Sequence, residues 1–285
     1  MEVQDTEPDI KLPLEKIGFK GVKRRIKLNT PKGEIVLDLD LDVFISIDGS
    51  RRGAHLSRNI EALDLAGLLA LGPARSIEEY LEAVSQKLLK LHNYASQVEA
   101  RARTIYYTEI EYNGIQGVEP VNVEVAVVTR RDGSRTWVTS VTVAAMSVCP
   151  SAQISVSQLL KTDNLAPSHV QRVLITGRVT TRGEMARIED IAHALLDSAS
   201  APVFTHLKRM QEARLVIEAH RRPMFAEDIA RSALCNLAKR LKKKVSTDSI
   251  LEVSVDSIES IHPHNVYAYA RSVLGELLNE PSRCS

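Results

Sequence analysis

Cys149-Pro150-Ser151 closes an apolar run and turns the chain at a proline, which holds a thiol at the end of a rigid element. A lone cysteine is more often small buried filler than a ligand, so this thiol counts only with partners. His169 supplies the first, in Pro167-Ser168-His169-Val170-Gln171-Arg172 at the entrance to another β-prone run. A thiolate and an imidazole at the borders of neighbouring strands are donors that divalent zinc or iron accepts. A carboxylate would complete three protein ligands, with water in the open place. Glu212, in Leu207-Lys208-Arg209-Met210-Gln211-Glu212, and Glu227, in Phe225-Ala226-Glu227-Asp228, are both candidates, and composition does not choose between them.

Two more stretches carry reactive side chains. Glu259-Ser260-Ile261-His262-Pro263-His264 sets a carboxylate and two imidazoles within a few residues beside a predicted strand. Surface decoration is the plain reading; general acid–base or ligand work is the functional one, because histidine as a residue type titrates near neutral pH. In Arg51-Arg52-Gly53-Ala54-His55-Leu56-Ser57-Arg58-Asn59, cationic side chains and a glycine meet a helix start. Free N–H groups and guanidinium groups there suit phosphate, and a solvated basic face capped by Ser57 accounts for the same residues equally well.

The elements that must position these residues show in the periodicity. Leu37, Leu39, Leu41, Val43, Ile45 and Ile47 alternate with mostly polar residues, so this stretch reads as a long antiparallel strand. It forms a hairpin with the basic, β-prone Gly21 to Leu28 through a turn at Thr30-Pro31-Lys32-Gly33. A helix from about Ser57 to Leu71 stops at Gly72-Pro73, and a second opens with the capping box of Ser76 and Glu79. Its stripe is Ile77, Tyr80, Val84, Leu88, Leu91, Tyr94 and Val98, with Glu78 outside it. Strands follow at Thr104 to Tyr112, Val121 to Thr129 and Thr136 to Val148, the last two joined at Asp132-Gly133. Ser151 to Ser168 reads as a polar connection. Beyond it come a strand at Val170 to Thr181, helices at about Ala186 to Ser198 and Phe225 to Lys244, and strands near Ile250 to Ile258 and His264 to Val273. Residues 204 to 222 are helical by composition and bounded by Pro223. Paired helices between paired strands predict two tandem α+β units instead of a parallel α/β fold.

The 285 residues are 44% hydrophobic, enough to bury a core, and Lys+Arg 37 against Asp+Glu 36 leaves no global field to draw nucleic acid or an anionic membrane. No apolar stretch approaches the roughly 20 residues that span a bilayer, and a cytoplasmic protein is expected. Cys149, Cys235 and Cys284 are odd in number and far apart, which argues against a disulfide framework. Cys235 falls in the helical pattern of Ile229, Ala233 and Leu237, where packing is its expected role.

Taken in order, Arg52 to Asn59, Cys149-Pro150, His169 to Arg172, Leu207-Lys208-Arg209, Phe225 to Asp228 and Glu259 to His262 resemble the motif set of one family. It comprises the bacterial type IB GTP cyclohydrolases and the GTP cyclohydrolases of archaeal methanopterin synthesis. The resemblance runs from about Ile17 to about Tyr269. It implies a tunnelling fold, α+β, of two tandem ββααββ-like units with antiparallel sheets, divided as an N-terminal extension at 1–16 and units at 17–148 and 149–285. It also implies a homotetramer with active sites where neighbouring subunits meet; the balanced charge and short apolar runs predict no nucleic-acid or membrane partner.

By the same resemblance Cys149, His169 and Glu212 are the metal ligands, Glu227 anchors the guanine edge, and Glu259 and His262 act at the reacting water. His55, Arg58 and Arg172 are the remaining substrate-binding residues it implies. One divalent metal per site is expected, Fe(II) first, with Zn or Mn as alternatives. Two departures stand out: Ser151 occupies the place of a second cysteine, and Met210-Gln211 stands where many relatives have Pro-Asp. A divalent metal lowers the pKa of water it binds to about 7, which suits attack on C8 of guanine near neutral pH with loss of formate. A glutamate suits guanine because N1–H and N2–H₂ offer adjacent donors to a carboxylate. The expected product is 7,8-dihydroneopterin 2′,3′-cyclic phosphate, with the triphosphate as the alternative. From other classes, a tunnelling-fold nitrile reductase would use Cys149 as a nucleophile, and a purine or pterin binder would need Glu227 without metal.

Overall fold

Alternation makes the first hairpin. Leu37, Leu39, Leu41, Val43, Ile45 and Ile47 are buried while Asp38 and Asp48 stay exposed. In the computed structural model, which describes residues 2–30, 33–69, 74–280 and 284, they lie on β2 (Gly33–Ile47). This strand pairs antiparallel with β1 (Leu14–Thr30), from Thr30↔Gly33 to Leu14↔Ile47. Asp42 breaks the pattern by being buried, and it is matched by an ion pair to Arg103 and by Gly21 N–H at 3.0 Å. A buried charge without such partners would be strongly destabilising. Pro31 and Lys32 of the predicted turn, and the Gly72-Pro73 helix stop, lie outside the described residues.

The chain forms two compact units, Met1–Ile105 with Glu124–Thr139 and Tyr106–Val123 with Ser140–Ser285. Three strands, β3 (Gln97–Tyr112), β4 (Ile115–Arg130) and β5 (Arg135–Val148), contribute residues to both. Division at 148/149 reads the order of elements, whereas these units reflect packing, so the two divisions answer different questions.

In the first unit β2 pairs antiparallel with β3, from Asp40↔Arg103 to Ile45↔Val98, and α1 (Ser57–Leu69) packs on α2 (Ile77–Leu91). Ser76 Oγ accepts the Glu79 N–H at 3.2 Å, while the Glu79 carboxylate reaches back to Arg75 N–H at 2.7 Å. The cap therefore forms with its return bond one residue early. Ile77, Tyr80, Val84 and Leu88 are buried as the stripe predicts, and Glu78 is buried beside them. The helix ends at Leu91, which leaves Tyr94 in a loop and Val98 on β3.

In the second unit Asn113 (φ 50°) and Gly114 (φ 77°) form the tight turn between β3 and β4, two left-handed residues of the kind a two-residue hairpin needs. After β5 come α3 (Pro150–Leu160), β6 (Val170–Arg182), α4 (Ile188–Leu196) and β7 (Ala201–Pro202). The chain continues through α5 (Arg209–Arg221), α6 (Ala226–Leu241), β8 (Ile250–Ile258), β9 (Val266–Val273) and α7 (Leu274–Asn279). β6 pairs antiparallel with β8 from Arg172↔Ile258 to Thr180↔Ile250, and β8 pairs antiparallel with β9. Ile229, Ala233, Leu237 and Leu241 are buried on α6, which packs on β8 through buried Leu251, Val253 and Val255. Gly177 lets α4 approach β6: a Cβ there would meet Leu195 at 3.0 Å and Ile191 at 3.1 Å.

Two expectations are corrected. Ser151 to Ser168 is not an irregular connection, since α3 fills its first half with Cys149 as N-cap and Pro150 at the first helical positions. No residue of α3 is buried, so it has no apolar stripe for periodicity to reveal. The cysteines are also paired: Cys235 on α6 forms a disulfide with Cys284, at a Cα–Cα distance of 5.4 Å. Distance along the chain was a poor guide because folding returns the C-terminal end to α6, and Cys149 alone is left free.

The bridge closes a loop of 49 sequence positions, worth about 4 kcal/mol in the chain-entropy account. Thiol titration of the unfolded protein should find one free thiol before reduction and three after it. Reduction, or Cys284→Ser, should lower Tm by several degrees; an unchanged Tm would show that the bridge adds no stability.

Candidate functional site

The second unit brings Cys149 and His169 together through the backbone. β5 ends at Val148, and Cys149 N–H then donates to the His169 carbonyl at 3.2 Å while Ser168 Oγ donates to the Cys149 carbonyl at 2.7 Å. The chain leaves at Cys149, makes α3, and returns to the same place. Sγ of Cys149 accepts the Ala152 N–H at 3.5 Å, so the thiol lies at the first turn of α3, half-buried.

A relay of hydrogen bonds orients His169. Its Nδ1 lies 2.9 Å from Gln171 Oε1, and Gln171 Nε2 faces Glu259 Oε1 at 3.4 Å and Ser147 Oγ at 3.5 Å. Glu259 Oε1 also accepts the Ser257 hydroxyl at 2.7 Å. An ionised carboxylate only accepts, so it turns the amide nitrogen of Gln171 toward itself and the amide oxygen toward His169. In the neutral ring this orientation puts the hydrogen on Nδ1 and leaves the Nε2 lone pair for a metal or a proton. His262 stands beside it with ring centroids 6.4 Å apart at 88°, and His262 stacks on His264 at 5.3 Å. Cys149, His169, Glu259 and His262 are thus gathered in one region. Gln171, Ser147 and Ser257 were not singled out from sequence; the available signal was that a strand residue two places after His169 shares its face.

The other candidates of this unit lie on the surface. Glu212, in the first turn of α5, and Glu227, in the first turn of α6, are exposed, and neither carboxylate has a partner among the described residues. Cys149, His169 and Glu212 do not form a group of three donor atoms within 4.8 Å of one another; among the described residues only Glu2, Asp5 and His55 do. Arg172 is exposed while its neighbour Gln171 is buried, and it lines a cavity of about 260 Å³ with Glu119, Phe204 and Thr205. Glu119 is already engaged there by Thr205, through N–H at 2.9 Å and Oγ1 at 2.5 Å.

His55 and Arg58 belong to the first unit. They line a polar cavity of about 470 Å³ with Asp5, Arg51, Lys90 and Tyr94. His55 Nδ1 is 2.7 Å from Glu2 Oε2 and its Nε2 is 3.1 Å from Asp5 Oδ1, while Arg51 is ion-paired with Asp5. The hydrogen bond from His55 and the Arg51 guanidinium hold the Asp5 carboxyl below its ordinary pKa. Direct contact with a guanidinium makes the Glu2, Asp5 and His55 group a salt-bridge cluster in place of a cation site. Behind it, Arg51 lies over the Tyr94 ring at 4.1 Å, and Tyr94 OH bonds His92 Nδ1 at 2.9 Å. His92 is fully buried, and its Nε2 meets Asn59 Oδ1 at 2.8 Å.

Comparison with known proteins adds the lineage. Residues 1–268 match the family model described as type I GTP cyclohydrolase folE2. GTP cyclohydrolase MptA of Aeropyrum pernix is 47% identical over 285 residues, covering 99% of both chains. The protein of that name from Methanoculleus marisnigri is 30% identical, covering 98% of this chain and 97% of its own. Among solved structures, uricase from Arthrobacter globiformis aligns with a TM-score of 0.54 at 9% identity, covering 90% of this chain and 92% of that one. A uricase from Bacillus fastidious aligns at 0.53 and 10% identity, covering 94% and 96%. At such identities the likeness concerns the fold alone, which is the tunnelling fold.

Burial, with the nearby charges of Arg58 and His55, lowers the pKa of His92 from 6.5 to about 4. Between those values the unfolded chain binds a proton that the folded chain refuses. The contribution of neutral His92 is therefore complete above about pH 6.5 and is lost as pH falls toward 4, by up to about 3 kcal/mol. Denaturant unfolding across this range should show that loss, and His92→Gln should flatten it; an equal slope in both proteins would disprove the assignment.

Proposed function

We propose, from the premise that this chain belongs to the type I GTP cyclohydrolase folE2 family and is a GTP cyclohydrolase of the archaeal pterin pathway, that it uses a divalent metal to open the guanine imidazole ring and releases 7,8-dihydroneopterin 2′,3′-cyclic phosphate. The observation that most supports the metal is the pairing of Cys149 with an oriented His169, whose Nδ1 is held by Gln171. Thiolate and imidazole are donors that Fe(II), Zn or Mn accept with differing preference, and Fe(II) is the first choice here. Glu212 is the third ligand in this reading, its carboxylate exposed and without a partner among the described residues. A divalent ion would supply Lewis acidity near neutral pH.

The chain's own groups would do the rest. Glu227, at the start of α6, presents two acceptor oxygens to the N1–H and N2–H₂ donors of guanine. Glu259, fixed by Ser257 and Gln171, holds the amide relay that sets the His169 tautomer. His262, stacked on His264, carries a proton between solvent and the opening ring. Arg172, with no ion-pair partner among the described residues, is a further substrate cation, and His55 and Arg58 bind phosphate. Addition of water and loss of formate open the ring; the ribose then rearranges and its carbonyl carbon closes onto the freed amine with loss of water, giving the dihydropterin. A cyclic monophosphate product also requires that the other two phosphorus atoms leave as diphosphate.

A homotetramer with sites completed across subunits fits the surface as well. Leu159 and Leu160 on α3 are 82% and 62% exposed, and β9 exposes Tyr267 and Tyr269. Apolar groups of this size on the open side of helices and strands are what a second copy would cover.

Metal analysis after purification without oxygen, together with GTP turnover, tests the site. Cys149→Ala should lose metal and activity while remaining folded; an active, metal-free variant would end the metal reading. Release of one diphosphate per formate would mark the cyclic product, and formate alone would mark the triphosphate. Glu227→Gln should retain metal and bind GTP several-fold more weakly, since its amide sets a donor against guanine's own donors. Loss of metal from that variant, with metal kept in Glu212→Gln, would exchange the two roles.

A further inference from the structure

The polar cavity of the first unit holds acids where a phosphate-binding site should be open. Arg51, His55, Arg58 and Lys90 line it, yet Asp5 reaches in to meet Arg51 and His55, and Glu2 takes the other nitrogen of His55. Asp5 ends the one-turn 3₁₀ segment Val3–Asp5 and Glu2 is its N-cap, and the segment lies against the loop that precedes α1. Arg52 N–H donates to the Thr6 carbonyl at 2.8 Å and Gly53 N–H to the Gln4 carbonyl at 3.2 Å. Further along, a Cβ at Gly49 would stand 2.5 Å from the Lys11 carbonyl, so the glycine is what lets the N-terminal segment lie so close.

The attachment is shallow. Residues 2–5 are all exposed and none of the 3₁₀ segment is buried, so the ion pairs face solvent on the side of the acids while His55 and Arg51 are largely covered. Exposed pairs contribute little to stability and weaken with salt. The cations are held far more firmly than the acids. Arg51 rests on Tyr94, which is backed by buried His92 and Asn59, and Arg58 Nη1 bonds the Leu91 carbonyl at 3.2 Å. Lys90, in the last turn of α2, has no ion-pair partner among the described residues.

We infer that the segment of residues 2–6 is a displaceable strap, in which Asp5 and Glu2 hold the positions that substrate phosphates take, and that Arg51 is a further phosphate-binding residue uncovered when the strap leaves. This rests on the reading that His55 and Arg58 bind phosphate. A triphosphate brings more negative charge and more acceptor oxygens than two carboxylates, so it wins the same guanidinium and imidazole donors. The strap then acts as an internal competitor: it raises the phosphate concentration needed for binding and excludes weaker anions.

Calorimetric titration with inorganic triphosphate and steady-state kinetics with GTP test this in the full chain. The double substitution Glu2→Gln and Asp5→Asn preserves size and leaves the two backbone bonds intact. It should tighten triphosphate binding and lower KM for GTP by about three- to tenfold, with kcat unchanged. Arg51→Ala and Arg58→Ala should weaken both. If the arginine variants lose affinity while the double variant binds no better than the parent, the strap is overturned and the phosphate reading stands. Arginine variants that bind triphosphate and GTP like the parent would overturn the phosphate reading itself, and the strap with it. Amide hydrogen exchange gives an independent readout: protection at residues 3 to 6 should fall when triphosphate is added, and protection that holds or rises would overturn displacement.

Discussion

The bond from Cys149 N–H to the His169 carbonyl ties the end of β5 to the start of β6, and the reactive region of the second unit depends on it. Between the two residues the chain makes α3, a helix with no buried residue that the core alone would not hold in place. The backbone bond, together with Ser168 on the Cys149 carbonyl and Gln153 on the Ala166 and His220 carbonyls, closes this excursion at its base. Thiol and imidazole are therefore positioned by main chain, which is stiffer than contact between two side chains. Once His169 is placed, Gln171 and Glu259 need only settle its tautomer and ring orientation.

Strand β6 divides its labour by alternation. Gln171 points to the relay with His169, and Arg172, one residue on, turns to the cavity shared with Phe204 and Thr205. A register slip of one residue would exchange the two faces and destroy both arrangements. The pairing of β6 with β8 through nine consecutive residue pairs, from Arg172↔Ile258 to Thr180↔Ile250, holds the register.

The first unit solves a different problem, that of keeping cations close together. Arg51, Arg58 and Lys90 would repel one another if they were free to relax. They are kept in place from behind by neutral groups: the face of Tyr94, the Leu91 carbonyl, and a buried histidine held uncharged. Neutral His92 matters here, because a further buried positive charge at that position would push against the cluster it supports. In front, charge is balanced by acids on a weakly held segment. Packed support behind and exposed acids in front is an arrangement suited to a site whose ligand brings its own negative charge.

Much of this was legible in the amino-acid order. Period-two alternation marked β2, period 3.6 marked α2 and α6, and the boundaries of β8 are those read from its sequence, because local burial pattern follows directly from side-chain spacing. Residue types also marked Cys149, His169, Glu259 and His262 as candidates, and folding gathers the four in one region. Helix α3 escaped because a helix without a buried face leaves no stripe, and the Cys235–Cys284 bridge escaped because closeness in space is independent of closeness along the chain. Gln171 and His92 were invisible for a related reason: an amide or an imidazole acquires a role only from the groups that folding sets against it. Sequence alone determined which chemical groups this protein has and the period on which each element repeats. Tertiary structure decided which of those groups meet, since a hydrogen bond is a matter of ångströms and angles that no spacing along the chain encodes.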